Sequence, residues 1–345
     1  MVKALRIADW SRSDQLAWHD ALTVGDLFEV SKPAAQWAQS SRESIAYSYG
    51  RWLSYLRKYQ LLIDEAPAGR LSPARVADYV RELQGSVRPH TVATYLAHLY
   101  DAVRVMEPDL DWSWLKAVKT RLARSARPDG RKAGRVQDSA RLFEFGISLM
   151  EEAEAARSDD LDVSITYRDG LIIALLAARP IRRRNLAAIR IGTELQKIGN
   201  HWCLIFEAGQ TKQSRHLEFL LPKELTRYID VYIEDYRNRL LRNEQHKYLW
   251  VSTRGGALCA GQLYSRITKR TAAEFGTPIN PHLFRDCAAT TLARRDPAHV
   301  NVAVSVLGHA DLRTIERHYN QAQMIDATRK YQQELQKLRA ERAHG

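Results

Sequence analysis

Apolar residues recur at helical spacing in four segments between Ser40 and Ala126, and this pattern predicts four amphipathic helices. In the third segment, for example, Val92, Leu96 and Val103 fall on one helical face. Such stripes are core positions, so the helices should pack into one domain over residues 31–125. We expect the helices to begin at Ser41, Ser72, Pro89 and Asp111, with the first ending near Tyr59 and the second near Leu83.

The first 30 residues carry a weaker pattern, and we interpret them as an N-terminal extension. A short helix is expected from Asp14 to Leu22, and Trp10 and Trp18 provide apolar anchors. The mixed charge of this segment indicates no function.

From residue 138 to the end at residue 345, helical and strand patterns are mixed, which predicts a second domain. The expected strands are Leu195–Ile198, Trp202–Glu207 and His216–Leu221, with Tyr248–Ser252 as a candidate fourth. The fold class is therefore mainly α with a small antiparallel β-sheet. The expected helices are 140–155, 164–178, 222–241, 259–274, 282–294, 298–307, 311–320 and 324–341.

Between the two domains, residues 126–137 have the composition of a linker. This linker ends a one-sided run, in which eight cations between Lys116 and Arg135 face a single acid. A solvated tether is one interpretation. The other is a basic linker that neutralises DNA phosphates and releases their counterions, in which case Arg127, Arg131 and Lys132 would contact DNA.

Composition agrees with a polyanionic partner, since the formal net charge is +12 and the isoelectric point is near 9.6. The three cysteines are far apart and show neither metal-ligand spacing nor a disulfide framework, which suits a reducing cytosol. No apolar run approaches about 20 residues, so no membrane span is expected. We therefore expect a cytoplasmic protein without metal or cofactor.

The chemistry-bearing residues are concentrated near the C-terminus. NPHLFRD at 280–286 places His282 and Arg285 on one helical face, His309 follows in a Leu-Gly-His turn, and Tyr319 lies ten positions later. Taken singly, these residues prove little. His-x-x-Arg by itself is close to a chance pattern, and most tyrosines are half-buried residues with a solvent-exposed hydroxyl. As an ordered set with two upstream residues, they resemble the tyrosine recombinase (phage integrase) family. Its signature is Arg, Lys, His-x-x-Arg, His or Trp, and a nucleophilic Tyr.

The resemblance also implies the two upstream residues. Arg182 stands three residues before Asn185-Leu186, where the family has an acid and a leucine, although three consecutive arginines leave the register ambiguous. Asn185 cannot form the ion pair that an acid would. Lys212 is the only lysine in the turn between the second and third strands. The implied catalytic residues are Arg182, Lys212, His282, Arg285, His309 and the nucleophile Tyr319.

These residue types suit attack on a phosphodiester. Two guanidiniums offset the charge that builds on the phosphate oxygens, because each presents a planar fork of donors. His282 is the candidate base for the Tyr319 hydroxyl, His309 a hydrogen-bond donor to the phosphate, and Lys212 the acid for the leaving 5′ oxygen. The resulting 3′-phosphotyrosyl bond would conserve the energy of the broken linkage, so rejoining needs no nucleotide cofactor.

The resemblance further implies an N-terminal four-helix core-binding domain that clamps one side of the duplex, joined to an α+β catalytic domain. The implied partner is nucleoid DNA with short inverted repeats, bound by a homotetramer. The C-terminal helix at 324–341 either folds back onto its own domain or docks on a neighbouring protomer. Candidate DNA contacts in the first domain are Arg42, Arg88, His90, Thr91 and Tyr95.

Three other interpretations fit part of the pattern. A type IB topoisomerase shares the chemistry, but the Leu-Gly-His turn and the four-helix domain favour a recombinase. A DNA-binding regulator that has lost activity is opposed by the complete set of catalytic residue types. An RNA-binding or purely structural basic protein would explain the charge alone.

Overall fold

A computed structural model describes residues 3–25, 31–126, 134–210 and 216–295, and the chain divides into two compact units, Met1–Gly130 and Arg131–Gly345. The first unit is helical throughout its described part. Its helices are α1 (Arg12–Ala21), α2 (Gln39–Lys58), α3 (Pro73–Gln84), α4 (Pro89–Met106) and α5 (Ser113–Ser125), with short 3-10 turns at Ile7–Asp9, Pro33–Gln36 and Pro67–Arg70. Ser72 caps the start of α3, because its hydroxyl accepts a hydrogen bond from the Arg75 N–H.

The core of the first unit is rich in aromatic side chains and includes the N-terminal extension. Trp10 and Trp18 are 4% and 2% exposed, and the Trp10 ring packs edge-on at 5.1 Å from that of Tyr49 on α2. Asp14 on α1 accepts a hydrogen bond from the Tyr49 hydroxyl at 2.6 Å and forms a fully buried ion pair with Arg70. These contacts make the extension part of the first unit's core.

In its described residues, the second unit combines seven α-helices, one π-helical turn and a short 3-10 turn at Ala208–Gln210 with a small sheet. A π-helical turn, Tyr232–Tyr236, joins α9 (Glu224–Val231) to α10 (Arg237–Leu241), so the predicted helix over 222–241 is continuous from Glu224 but locally widened. The segments are α6 (Ser139–Ala155), α7 (Leu161–Ala178), α8 (Arg183–Ala188), β1 (Leu195–Ile198), β2 (His201–Phe206), β3 (Leu217–Leu220), α9 (Glu224–Val231), the π turn, α10 (Arg237–Leu241), α11 (Ala260–Phe275) and α12 (Leu283–Arg295).

The sheet is antiparallel in the order β1-β2-β3, with Leu195 opposite Leu204 and Leu204 opposite Phe219. These three residues lie on the face that packs against the helices, and they join the hydrophobic core of the unit. The prediction of a mainly α fold with a small antiparallel sheet is confirmed.

Helix α7 runs through the middle of this core, and α6 crosses it closely. A Cβ added to Gly146 of α6 would lie 2.6 Å from the Ala174 nitrogen and 2.7 Å from the Gly170 carbonyl oxygen. The two glycines therefore allow the helix backbones to approach.

The structure differs from the sequence-based expectations for this unit in two places. Tyr248–Ser252 does not join the sheet in the described residues, because Tyr248 and Val251 form only isolated bridges, to Arg190 and Ala257. The short helix α8 was not expected. The helices predicted at 298–307, 311–320 and 324–341 lie outside the described residues.

Candidate active site

The structure brings two of the predicted catalytic residues together, Arg182 and Arg285. Arg285 lies in the first turn of α12, is 6% exposed, and donates a hydrogen bond from Nη1 to the Pro180 carbonyl at 2.7 Å. Burial lowers the pKa of Arg285 to about 10, and the positive charge of Arg182 acts on that pKa in the same direction. Two like charges thus lie close together, one of them almost wholly removed from water.

The start of α12 determines how the His-x-x-Arg motif is presented. The Asn280 side-chain oxygen accepts from the backbone N–H groups of His282 and Leu283, both at 3.0 Å, and so caps the helix. Upstream, the Ile279 N–H donates to the Thr271 hydroxyl at 2.9 Å, which fixes the preceding loop to α11. As a result His282 is exposed at the helix start, while Arg285 points inward.

The three consecutive arginines have different surroundings, which bears on the register. Arg182 is the residue before α8 and is half-buried, and it is the arginine of the run whose charge acts on Arg285. Arg183 and Arg184 are exposed. The guanidinium of Arg183 lies 5.6 Å from the centroid of the Tyr264 ring on α11.

Asn185 and Asp286 lie beside the arginines in sequence. Asn185, which stands where the family has an acid, is 9% exposed on α8. Asp286 is half-buried and directly follows Arg285, and its negative charge opposes the lowering of the Arg285 pKa. No role was expected for Asp286 from the sequence, although its position next to the motif arginine could have indicated an electrostatic effect on that arginine.

Cys287, the next residue, is fully buried, and burial raises the pKa of its thiol to about 11. Its sulfur accepts a hydrogen bond from the Gln137 N–H at 3.3 Å. The thiol is therefore neutral at ordinary pH, as expected for a packed rather than a reactive cysteine.

The remaining members of the predicted catalytic set, Lys212, His309 and Tyr319, lie outside the described residues. The same holds for the linker cations Arg127, Arg131 and Lys132. Within the described ranges, no three histidine, cysteine, aspartate or glutamate side chains are grouped so that they could hold a metal ion. Nor is any described helix long and apolar enough to cross a membrane.

The candidate DNA contacts of the first unit lie at two places, the start of α4 and the start of α2. Arg88 and His90 are exposed at the start of α4, whereas Thr91 and Tyr95 are half-buried on the same helix. Arg42 donates from Nε to the Trp37 carbonyl at 2.9 Å and from Nη2 to the Ala35 carbonyl, so it braces the turn before α2.

Sequence reasoning missed two neighbours of Tyr95. Arg51 lies 5.1 Å from the Tyr95 ring centroid, and the Tyr47 ring, 51% exposed, lies 6.4 Å away. Tyr47 and Arg51 are four residues apart on α2, which was the available signal.

The fold is similar to those of recombinases of known structure. Similarity extends to the XerH recombinase bound to its difH substrate (TM-score 0.55, 13% identity, 81% of this chain and 77% of that one). It extends also to a post-cleavage complex of XerH with palindromic difH (0.57, 14%, 85% and 80%). A third similar structure is the Tn1549 transposon integrase in complex with transposon right-end DNA. Its TM-score is 0.53 at 10% identity, and the match covers 92% of this chain and 98% of that one. None of the curated proteins compared with the sequence matches it significantly.

The sequence model of the phage integrase family matches residues 148–325, which is just over half of the chain. The chain therefore belongs to the phage integrase family, and it is an enzyme of the tyrosine recombinase type. The expectations of family, fold and enzyme class are thus confirmed.

Proposed function

We propose that the chain cuts and rejoins double-stranded DNA at specific sites through a 3′-phosphotyrosyl bond on Tyr319. The observation that carries this proposal is the pair of guanidiniums, with Arg285 buried beside Arg182. An anion that binds both guanidiniums would offset the repulsion between them, and each guanidinium presents a planar fork of donors. Since a pKa of about 10 keeps Arg285 charged at neutral pH, the pair is suited to a phosphodiester.

Each remaining residue has one step in the reaction. His282, exposed at the start of α12, takes the proton from the Tyr319 hydroxyl. The phenolic oxygen forms a bond to phosphorus while the bond from phosphorus to the 5′ oxygen breaks. Lys212 gives a proton to that leaving oxygen, and His309 donates a hydrogen bond to the phosphate. In the reverse step a 5′ hydroxyl attacks the phosphotyrosine and restores the DNA backbone.

The test of the nucleophile is covalent trapping on nicked suicide duplexes. We expect the wild-type chain to form an adduct, and Tyr319→Phe to form none while keeping nearly the same affinity for DNA, because only one hydroxyl is lost. An adduct that survives in this variant would move the nucleophile to a neighbour such as His318 or Tyr331. If the wild-type chain relaxes plasmids lacking any recombination site, the topoisomerase alternative is favoured instead.

The proposed partner is nucleoid DNA with short inverted repeats, held by a homotetramer. The complex of XerH with a palindromic substrate supports a symmetric DNA site by analogy. We propose that the C-terminal helix docks on a neighbouring protomer. Deleting residues 326–345 should then leave binding to one half-site intact and abolish cooperative binding to two. Cooperative binding by the truncated chain would refute docking in trans.

In the first unit, we propose that the DNA-facing surface includes Arg88, His90, Thr91 and Tyr95 at the start of α4. The adjoining Tyr47 and Arg51 support this proposal, because aromatic faces and cations together suit DNA bases and phosphates. Arg42, whose donors already bind carbonyls of its own chain, is the weakest of the predicted contacts.

A further inference from the structure

Arg183 is an exposed arginine of the second unit whose contact is with an aromatic ring and not with a carboxylate. Arg190 and Arg227, by contrast, engage Glu194 and Glu154, each at 2.7 Å. Arg183 instead lies against the Tyr264 ring, with 5.6 Å between its central carbon and the ring centroid. Within the described part of the chain, its guanidinium makes no hydrogen bond or ion pair.

Tyr264 is a firm support because α11 is fixed to the core. α11 packs against α7 and α8. On α11, Arg266 and Arg270 both donate to the buried carboxylate of Asp169 on α7, at 2.6 Å and 3.1 Å. The Tyr264 ring is itself 42% exposed, so the arginine that it holds lies at the protein surface.

The contact with the ring restrains Arg183 and leaves its charge unused. A carboxylate would neutralise the guanidinium and occupy its N–H donors, whereas an aromatic face attracts the cation and leaves the donors at its edge available. The neighbouring Asn185 adds no negative charge. Arg183 is thus an oriented cation whose N–H donors remain available to bind an anion.

The position of Arg183 indicates which anion. A DNA strand carries one phosphate per nucleotide, so the phosphate that Arg182 binds has a charged neighbour on the same strand. Arg183 directly follows Arg182 and has an equally long side chain, so its guanidinium can reach that neighbouring phosphate.

We propose that Arg183, positioned by Tyr264, binds the DNA phosphate adjacent to the scissile phosphate and so aligns the strand in the site formed by Arg182 and Arg285. This inference rests on the proposed function. It makes Arg183 a strand-positioning residue and Tyr264 the residue that orients it. Loss of Arg183 should therefore impair DNA binding and alignment, whereas loss of Arg182 should impair the chemical step.

The test combines Arg183→Gln with suicide duplexes in which single phosphates beside the cleavage site are replaced by uncharged methylphosphonates. Arg184→Gln is the matched control, since Arg184 is the neighbouring exposed arginine of the same charge. We expect Arg183→Gln to lower the rate of adduct formation at limiting DNA roughly tenfold, the typical effect of removing one charge-assisted hydrogen bond, and to change the rate at saturating DNA little. Arg184→Gln should behave as the wild type.

The methylphosphonates identify the phosphate. One replacement should slow the wild-type chain as much as Arg183→Gln does, and should not slow Arg183→Gln further. Tyr264→Leu should reproduce the slower rate, and Tyr264→Phe, which keeps the ring, should restore the wild-type rate.

Two results would overturn the inference alone. One is an equal effect of the glutamine variants at 183 and 184. The other is that every methylphosphonate replacement slows Arg183→Gln as much as it slows the wild-type chain. Absence of any adduct with the wild-type chain would instead overturn the proposed function, and this inference with it.

Discussion

The buried environment of Arg285 makes a specific prediction for Arg285→Lys. Burial and the nearby Arg182 lower the pKa of this arginine to about 10. A lysine starts from a lower pKa in water than an arginine does, so the same burial and repulsion would bring the pKa of a lysine at this position below that of the arginine. The lysine would therefore lose its proton over a pH range in which the arginine is still charged.

Two effects should then be separable in the variant. At pH 6.5 the charge is present, and we expect a rate reduction on the order of a hundredfold, because an ammonium cannot replace the planar fork. Between pH 6.5 and pH 9.5 the rate relative to wild type should fall further, because the lysine loses its proton while the wild-type arginine keeps its charge.

The assay is adduct formation on suicide duplexes at limiting DNA, which reports the ionisation of the free enzyme. Taking the ratio of variant to wild type at each pH cancels the titration of His282 and of other shared groups. Arg184→Lys is the control, and its ratio should stay flat because a solvated lysine remains largely protonated over this range. A flat ratio for Arg285→Lys would refute the conclusion that burial and repulsion govern this position.

Further predictions concern the first arginine, the linker and two packing features. Arg182→Lys should reduce the rate of adduct formation about a hundredfold or more at saturating DNA, and an equal reduction in a variant of either neighbouring arginine would show that the register is wrong. Neutralising the three linker cations should flatten the slope of log affinity against log salt by about 0.9 for each phosphate that the linker no longer neutralises, and an unchanged slope would indicate a solvated tether. Gly146→Ala should lower the free energy of unfolding of the second unit, measured in urea, by about 1–3 kcal/mol, since the added methyl meets backbone atoms. Gly261→Ala, whose Cβ would meet nothing closer than 3.8 Å, should not destabilise. Asp14→Asn should cost the first unit about 3–5 kcal/mol, because it removes the carboxylate charge from a fully buried ion pair with Arg70. A change below about 1 kcal/mol in tryptophan-monitored unfolding would contradict this.

Periodicity predicted the long elements because their structure is determined locally. The stripe containing Val92, Leu96 and Val103 has all three residues fully or almost fully buried on α4. The strands Leu195–Ile198 and Trp202–Glu207 differ from β1 and β2 by at most one residue at an end. The meeting of Arg182 and Arg285, 103 positions apart, followed only from the family resemblance, because no local pattern links them.

What was missed depends on contacts between distant segments. Helix α8 has only six residues and no stripe long enough to detect, so it is stabilised by packing against α11. Tyr248–Ser252 has strand composition, but its backbone pairs only at isolated points near Arg190 and Ala257. The contact between Arg183 and Tyr264 joins residues 81 positions apart, and exposed side chains follow no periodic rule.

The way the N-terminal segment is built into the first unit bears on the design of chimeric recombinases. The Leu5 N–H donates to the Gly50 carbonyl and to the Ser54 hydroxyl, both at 3.1 Å, so the chain before α1 lies directly on the backbone of α2. A transplant that takes only residues 31–125 would leave the aromatic core open where Trp10 and Trp18 belong. The exchangeable unit has to begin no later than residue 3, with its own N-terminal segment, so that the donor helices carry the tryptophans that close their core.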